Sequence, residues 1–177
     1  MSKQEDQWVL RAQCDDREAL ELLLGSVQPS LQRYLRTLVG PRDADDVLQD
    51  VLVLIYRKLG WLDRPELFRP WALRIASRAA FRWLKKRRQW FERTESGTQL
   101  EEIAAPEVRP PDELLQALPT LDGLSPASRA VLVLHFQEDR PLAEVAAILE
   151  IPLGTVKSRL AYGLSALRGQ LDRKRRS

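Results

Sequence analysis

Cationic and aromatic side chains recur three and four positions apart near the middle of the chain. At about 100° per residue this spacing places them on one face of a helix, which is predicted over residues 70–90. Cations bind phosphate oxygens and flat rings stack on unpaired bases, so the face suits a nucleic acid. A solvated charged helix whose rings complete a core would have the same pattern. The side chains concerned are Trp71, Arg74, Arg78, Phe81, Arg82 and Lys85.

Polar and acidic residues crowd the start of a second predicted helix, which begins at Ala44, is capped by Asp43 and ends near Gly60. Carboxylates at a helix N-terminus can serve the helix dipole. A metal site is a second interpretation, but no histidine or second acidic cluster supports it. The third is a docking face for a partner, which Leu52, Val53 and Tyr56 would extend. The outer residues are Asp45, Asp46, Gln49 and Asp50, and the predicted buried stripe is Val47, Leu48, Val51, Leu54 and Ile55.

The pattern over residues 141–171 is typical of a helix-turn-helix. A short helix is predicted to end near Leu149, and a tight connection leads to a second helix that starts around Gly154. An ordinary helical hairpin is the alternative. The second helix has a predicted buried stripe of Val156, Leu160, Leu164, Leu167 and Leu171. Its outward residues are Ser158, Ala161, Tyr162 and Ser165, and its flanking cations are Lys157, Arg159 and Arg168. Short polar groups beside cations suit base edges and phosphates.

These segments belong to an all-α chain, predicted to form two small helical domains joined by a flexible acidic linker. The predicted first domain spans residues 1–93, the linker 94–113 and the second domain 114–172, followed by a basic tail at 173–177. Leucines at helical spacing between Asp15 and Leu38 predict two helices, or one bent helix, interrupted near Gly25 to Pro29. Ser125 and Pro126 are predicted to cap and open a helix of the second domain.

The charges are sorted into blocks of alternating sign. Residues 1–68 hold 9 basic and 12 acidic residues, whereas residues 69–93 hold 9 and 1. Residues 94–153 hold 3 and 11, and residues 154–177 hold 7 and 1. Two basic segments separated by an acidic one indicate a polyanionic partner contacted at two places.

Composition narrows the class of protein. One cysteine excludes an intrachain disulfide, and no apolar run approaches the ~20 residues that span a bilayer. With no signal-peptide pattern at the start either, a cytoplasmic protein without membrane insertion is expected. No phosphate-binding glycine loop, metal-spaced ligand set or nucleophile–base pair occurs, so neither an enzyme nor a cofactor or metal site is expected.

Three motifs, in this order, resemble those of bacterial sigma factors of the extracytoplasmic-function class, within the sigma-70 family. They are ADDVLQDVL at 44–52, PWALRIASRAAFRWLKKR at 70–87 and ILEIPLGTVKSRL at 148–160. The resemblance covers nearly the whole chain. It implies a transcription initiation factor that binds RNA polymerase core and directs it to promoter DNA, is monomeric when free, and has an anti-sigma factor as a further partner.

The resemblance also implies roles for the residues. Asp45, Asp46, Gln49 and Asp50 would dock on the polymerase core. Trp71, Arg74, Arg78, Phe81, Arg82 and Lys85 would capture and melt the minus 10 element. Thr155, Lys157, Ser158, Arg159 and Tyr162 would read the minus 35 element in the major groove. The linker would thread through the polymerase.

Several residues depart from the family pattern. Arg78 stands where an asparagine is common, Arg82 where an aspartate is often found, and Glu150 replaces the usual glycine of the turn. Guanidinium in place of an amide changes which base edges can be read. Two other interpretations stay open: a stand-alone helix-turn-helix regulator, and a degenerate sigma-like protein that binds polymerase without opening promoters.

Overall fold

The computed structural model describes residues 3–92 and 124–174, with side chains over 3–88 and 124–169. The predicted linker at 94–113 and the start of the predicted second domain lie outside the described residues, as does the end of the basic tail. The described chain is helical and has no strand. None of its helices has the length and hydropathy needed to cross a membrane.

Four helices form the first unit: α1 (Lys3–Gln13), α2 (Arg17–Val39), α3 (Ala44–Lys58) and α4 (Phe68–Glu92). Short 3-10 turns at Leu59–Trp61 and Pro65–Leu67 join α3 to α4. Three helices form the second unit: α5 (Pro126–Leu132), extended by a π-helical turn at Val133–Gln137, α6 (Leu142–Leu149) and α7 (Leu153–Lys174). The described residues of the chain are therefore all-α, as predicted.

Helix α2 runs without a break through Pro29, so of the two predicted alternatives there is one helix and not two. An internal proline costs about 3 kcal/mol because it removes a hydrogen bond and crowds the preceding turn. Leu23 and Val27 before it, and Leu31 and Leu35 after it, are all buried in the same core. Their burial outweighs the cost of the proline.

Buried polar contacts fix the helices of the first unit to one another. The Ser77 hydroxyl of α4 donates to the Leu73 carbonyl, which leaves its oxygen to accept from the Tyr34 hydroxyl of α2 at 2.7 Å. Burial raises the pKa of Tyr34 above its ordinary value, so the phenol stays protonated. Glu5 of α1, itself buried, accepts from Arg69 at 2.9 Å. These contacts hold the orientation of α4.

The second unit is built around a close approach of α5 and α7. Gly163 of α7 lies against Leu132 of α5, so close that a Cβ added to the glycine would meet the leucine Cδ1 at 2.8 Å. Ser125 caps α5 by accepting from the Ser128 amide at 3.1 Å, and Pro126 occupies the first turn, which confirms both predictions.

The two units are packed together in this structure. Helix α6 lies against α4, and α5 lies against α2. The buried apolar side chains of both units form one continuous cluster. Polar contacts also cross between the units, because Glu138 accepts from the Ser30 hydroxyl at 2.6 Å and Arg129 donates to the Thr37 carbonyl at 3.1 Å.

Candidate nucleic-acid interface

Helix α4 has an apolar side and a basic side. Leu73, Ala76 and Ala80 are buried in the core. The predicted nucleic-acid residues lie within about 100° of arc on another side of the helix, since they are three or four positions apart. Among them Arg78, Arg82 and Lys85 are exposed, whereas Trp71, Arg74 and Phe81 are partly buried. The structure therefore brings all six onto one surface.

The aromatic rings on this surface are anchored. Trp71 lies 6.2 Å, centroid to centroid, from the fully buried Phe68, and both Trp71 and Phe81 pack against the core. A ring that is held on one side and partly exposed on the other can stack on a base without losing much conformational freedom. This arrangement differs from that of a solvated charged helix, in which the rings would be fully buried in the core.

Asp43 does not cap α3, and that prediction is wrong. The helix begins at Ala44 as expected, but Asp43 has helical backbone angles and its side chain makes no capping hydrogen bond. Its carboxylate pairs instead with Arg87 of α4 at 2.8 Å, and the Arg87 guanidinium lies 5.0 Å from the centre of the Trp83 ring. The contact joins the start of α3 to the basic end of α4.

The acidic face of α3 is open to solvent. Asp45, Asp46, Gln49 and Asp50 are all exposed, while Val47, Leu48, Val51 and Ile55 are buried as predicted and Leu54 is partly buried. Val53 and Tyr56 continue the exposed face, and Leu52 is partly buried beside them. Carboxylates bordered by exposed apolar groups suit a macromolecular partner better than solvent. No group of three or more acidic, histidine or cysteine side chains in the described residues could hold a metal ion.

Trp61 is not among the residues that the sequence patterns predict, yet it is the most exposed large hydrophobic side chain of the described residues, at 76%. It ends the 3-10 turn that follows α3. The nearby backbone is held from α1, because the Gln13 amide donates to the carbonyls of Leu59 and Leu62, each at 2.9 Å. The signal in the sequence is a tryptophan directly after Gly60, with no large apolar residue three or four positions away on either side.

The helix-turn-helix is present: α6 ends at Leu149 as predicted, and α7 begins at Leu153. Glu150 occupies the left-handed backbone region in the turn, with φ of 57°. That conformation costs a non-glycine residue roughly 1–2 kcal/mol, which explains why a glycine is usual there.

The predicted reading face of α7 is only partly accessible to solvent. Lys157 is exposed, and four more of the predicted residues are partly buried: Thr155, Ser158, Arg159 and Tyr162. The Ser158 hydroxyl donates to the Thr155 carbonyl at 3.1 Å. Ala161 was predicted to face outward, but it is buried at 3% exposure, because the apolar side of α7 is wider than the predicted stripe.

Arg78 and Glu150 meet where the two units are packed together. The Arg78 guanidinium donates to both carboxylate oxygens of Glu150, from Nε at 2.9 Å and from Nη2 at 2.5 Å. This hydrogen bonding is the main reason why the pKa of Glu150 is lowered, and the charges of Arg78 and Arg74 act in the same direction. The ion pair therefore stabilises the packing of the two units fully at any pH above the ordinary pKa of a glutamate. This stabilisation is lost as the pH falls through the lowered pKa of Glu150.

In a comparison with known proteins, each of the two units matches a family model. Residues 23–90 match the family model for sigma-70 region 2, and residues 120–169 match that for sigma-70, region 4. The chain is 30% identical over 152 residues to the ECF RNA polymerase sigma factor SigW of Bacillus subtilis (strain 168), covering 79% of this chain and 81% of the relative. It is 30% identical over 181 residues to the ECF RNA polymerase sigma-E factor of Escherichia coli (strain K12), covering 94% and 95%.

Solved structures share the fold. CnrH in complex with the cytosolic domain of CnrY has a TM-score of 0.69 and 24% identity, over 96% of this chain and 98% of that chain. The sigma factor RpoE of Bartonella quintana, in complex with the anti-sigma factor NepR, has a TM-score of 0.69 and 21% identity, over 86% and 96%.

Proposed function

The chain belongs to the extracytoplasmic-function class of the sigma-70 family, and from this premise we propose that it binds RNA polymerase core and directs promoter-specific initiation of transcription. The observation that carries the proposal is the surface of α4, where anchored aromatic rings and cations share one face beside the exposed acids of α3. Stacking contributes ~1–3 kcal/mol per base, and it is available only to bases that have left the duplex. Such a surface favours melted over paired DNA.

Three groups of residues each contact a different part of the polymerase–promoter complex. Asp45, Asp46, Gln49 and Asp50 of α3 dock on the polymerase. The basic and aromatic face of α4 holds the melted minus 10 strand. Helix α7 enters the major groove at the minus 35 element, with Thr155, Lys157, Ser158, Arg159 and Tyr162 at the groove.

The remaining partners follow from family membership. The polymerase supplies the chemistry of RNA synthesis, so this role needs no catalytic group or cofactor in the chain and places it in the cytoplasm. An anti-sigma factor is a proposed partner. The free protein is proposed to be a monomer.

The test is transcription from a genome-wide pool of promoter fragments, with purified protein and core enzyme together and each separately. Only the combination should produce transcripts that start at defined positions, and chemical probing should detect unpaired bases upstream of those starts. A stand-alone regulator would bind DNA tightly without core enzyme. A degenerate sigma-like protein would bind the core enzyme and leave all bases paired. Either result would contradict the proposal.

Replacing Arg78 with asparagine should change which minus 10 sequences are used more than it changes overall promoter affinity. A guanidinium presents donors only, whereas an amide both donates and accepts, so the two read different base edges. We compare initiation at the minus 10 sequence that the wild type prefers with initiation at the one that Arg78→Asn prefers. The ratio of the two should change by about tenfold between the proteins, since one well-made base contact contributes ~1–3 kcal/mol of discrimination. The measurement is competition transcription from a library randomised at the minus 10 element.

Glu150→Gln is the matched control for this change. It breaks the same ion pair but leaves residue 78 unaltered, so the minus 10 preference should stay that of the wild type. An unchanged preference in Arg78→Asn would mean that the side chain contacts only the phosphate backbone.

A further inference from the structure

Helix α1 lies against the connection between α3 and α4, residues 59–67, and contacts both of its 3-10 turns. At the start of the connection, the Gln13 side chain donates to the carbonyls of Leu59 and Leu62, each at 2.9 Å. An amide group offers two hydrogens from one uncharged nitrogen, so it suits two carbonyls that lie close together. Gln13 therefore fixes the backbone on either side of the exposed Trp61.

Glu5 of α1 fixes the chain just beyond the other end of the connection. Its side chain is only 5% exposed, and its two carboxylate oxygens pair with Nε and Nη2 of Arg69, each at 2.9 Å. The Ser26 hydroxyl of α2 donates to the same carboxylate at 3.0 Å. A buried ion pair adds little net stability, because desolvation of the charges offsets their attraction. The pair instead provides a defined geometry, since two parallel hydrogen bonds fix the plane of the guanidinium.

The backbone held in this way leads directly into the aromatic end of the basic and aromatic face of α4. Arg69 follows Phe68, which is fully buried, and the ring centre of Trp71 lies 6.2 Å from that of Phe68. Trp71 is the first of the residues proposed to hold the melted strand. Because it lies in the first turn of α4, its ring moves with any shift of that turn. The position of the ring therefore depends on the contacts of α1.

We propose that Glu5 and Gln13 are positioning residues for the capture of melted bases, and that α1 holds the first turn of α4 in the conformation that Trp71 needs. Neither residue touches DNA, and both act through Trp71. The capture of bases rests on the proposed function, whereas the support that α1 gives to the connection does not. A ring that is already in position loses less conformational freedom when a base stacks on it, so this support strengthens the binding of unpaired DNA.

Support of the connection is measured by hydrogen–deuterium exchange in the free, full-length protein. Gln13→Glu keeps the size of the side chain, but it removes both donors and turns a negative charge toward two carbonyl oxygens. Exchange of the backbone amides over residues 59–71 should accelerate about tenfold, as expected when two hydrogen bonds are lost. Glu5→Gln should accelerate exchange at the Arg69 end of this segment. Gln7→Glu adds the same charge at an exposed position of α1 and should leave exchange as it is in the wild type.

Base capture is measured by the binding of the complex with core enzyme to a pre-melted promoter that carries one abasic site at a time. At the base that stacks on Trp71, the abasic site should weaken binding about tenfold in the wild type but not in Trp71→Ala. Gln13→Glu and Glu5→Gln should each reduce this effect to about threefold, and they should leave the effects of the other abasic sites unchanged. In the Trp71→Ala background neither change should alter the effect further, because both act through the ring. A merely structural role would weaken binding at every site alike.

The proposal is overturned if Gln13→Glu leaves exchange over residues 59–71 unchanged, or if exchange accelerates while the abasic effect stays that of the wild type. It is also overturned if all abasic sites change equally, or if no site distinguishes the wild type from Trp71→Ala. Gln13→Ala, which removes the donors without adding a charge, replaces Gln13→Glu should circular dichroism show that variant to be unfolded. If the wild type does not bind promoters with core enzyme, the proposed function fails, while the exchange measurements still decide whether α1 supports the connection.

Discussion

Changing Asp46 and Asp50 together to lysine should weaken binding to RNA polymerase core by about a hundredfold, or ~3 kcal/mol. Both carboxylates are exposed on α3, so their replacement leaves the buried stripe of that helix intact. The change removes two attractive charges and places two repulsive ones on the proposed docking face. Binding of labelled protein to purified core, at two salt concentrations, measures the effect.

A control with the same change in net charge is available on α2. Glu18 and Glu21 are also exposed, and their joint replacement by lysine should leave core binding within about twofold of the wild type, the scale for peripheral charges. If both double variants lose core binding equally, then long-range charge and not a docking face on α3 controls the association. The α3 variant should keep its affinity for single-stranded DNA.

Replacing Gly163 with valine should lower the free energy of unfolding by ~2–3 kcal/mol, which is typical of overpacking a core. The first added carbon would already lie 2.8 Å from Leu132 Cδ1 and 3.2 Å from its Cγ, and Leu132 is fully buried. The leucine can therefore not swing into solvent, and α5 and α7 must separate. Chemical denaturation followed by circular dichroism measures the loss.

Gly169 provides the matched control on the same helix. A Cβ at this position meets nothing within 4 Å, so Gly169→Val should leave the unfolding midpoint close to that of the wild type. Adding Leu132→Ala to Gly163→Val makes room for the new side chain, and the double variant should lose less stability than the two single changes added together. Strict additivity would contradict the packing described for α5 and α7.

Helical periodicity was sufficient to predict most elements of the fold. The buried stripe of α3, the C-terminal end of α6 and the Ser125 cap were all predicted because each depends on residues that are close in sequence. Helix α1 was not predicted, since its few buried apolar groups form a weak pattern. Asp43 was assigned to a local cap, but the distant Arg87 takes its carboxylate, and local patterns do not represent such competition.

Periodicity predicted only the part of the candidate site that depends on residues close in sequence. The six residues on one face of α4 follow from their spacing, and the structure places them together. The contact between Arg78 and Glu150 does not follow from any spacing, although both residues departed from the family pattern. Their meeting depends on how the two units pack, which is a long-range property that periodicity does not encode.

The Arg78–Glu150 pair also has a consequence for how the free protein responds to ionic strength. Added salt weakens the binding of the free protein to DNA, since counterions released into a more concentrated salt solution gain less entropy. The same salt screens the ion pair, which is largely solvent-exposed, and so frees a cation for DNA. The two effects oppose each other. The DNA affinity of the core-free protein should therefore fall less steeply with salt than its count of basic residues suggests, and Glu150→Gln should restore the steeper slope.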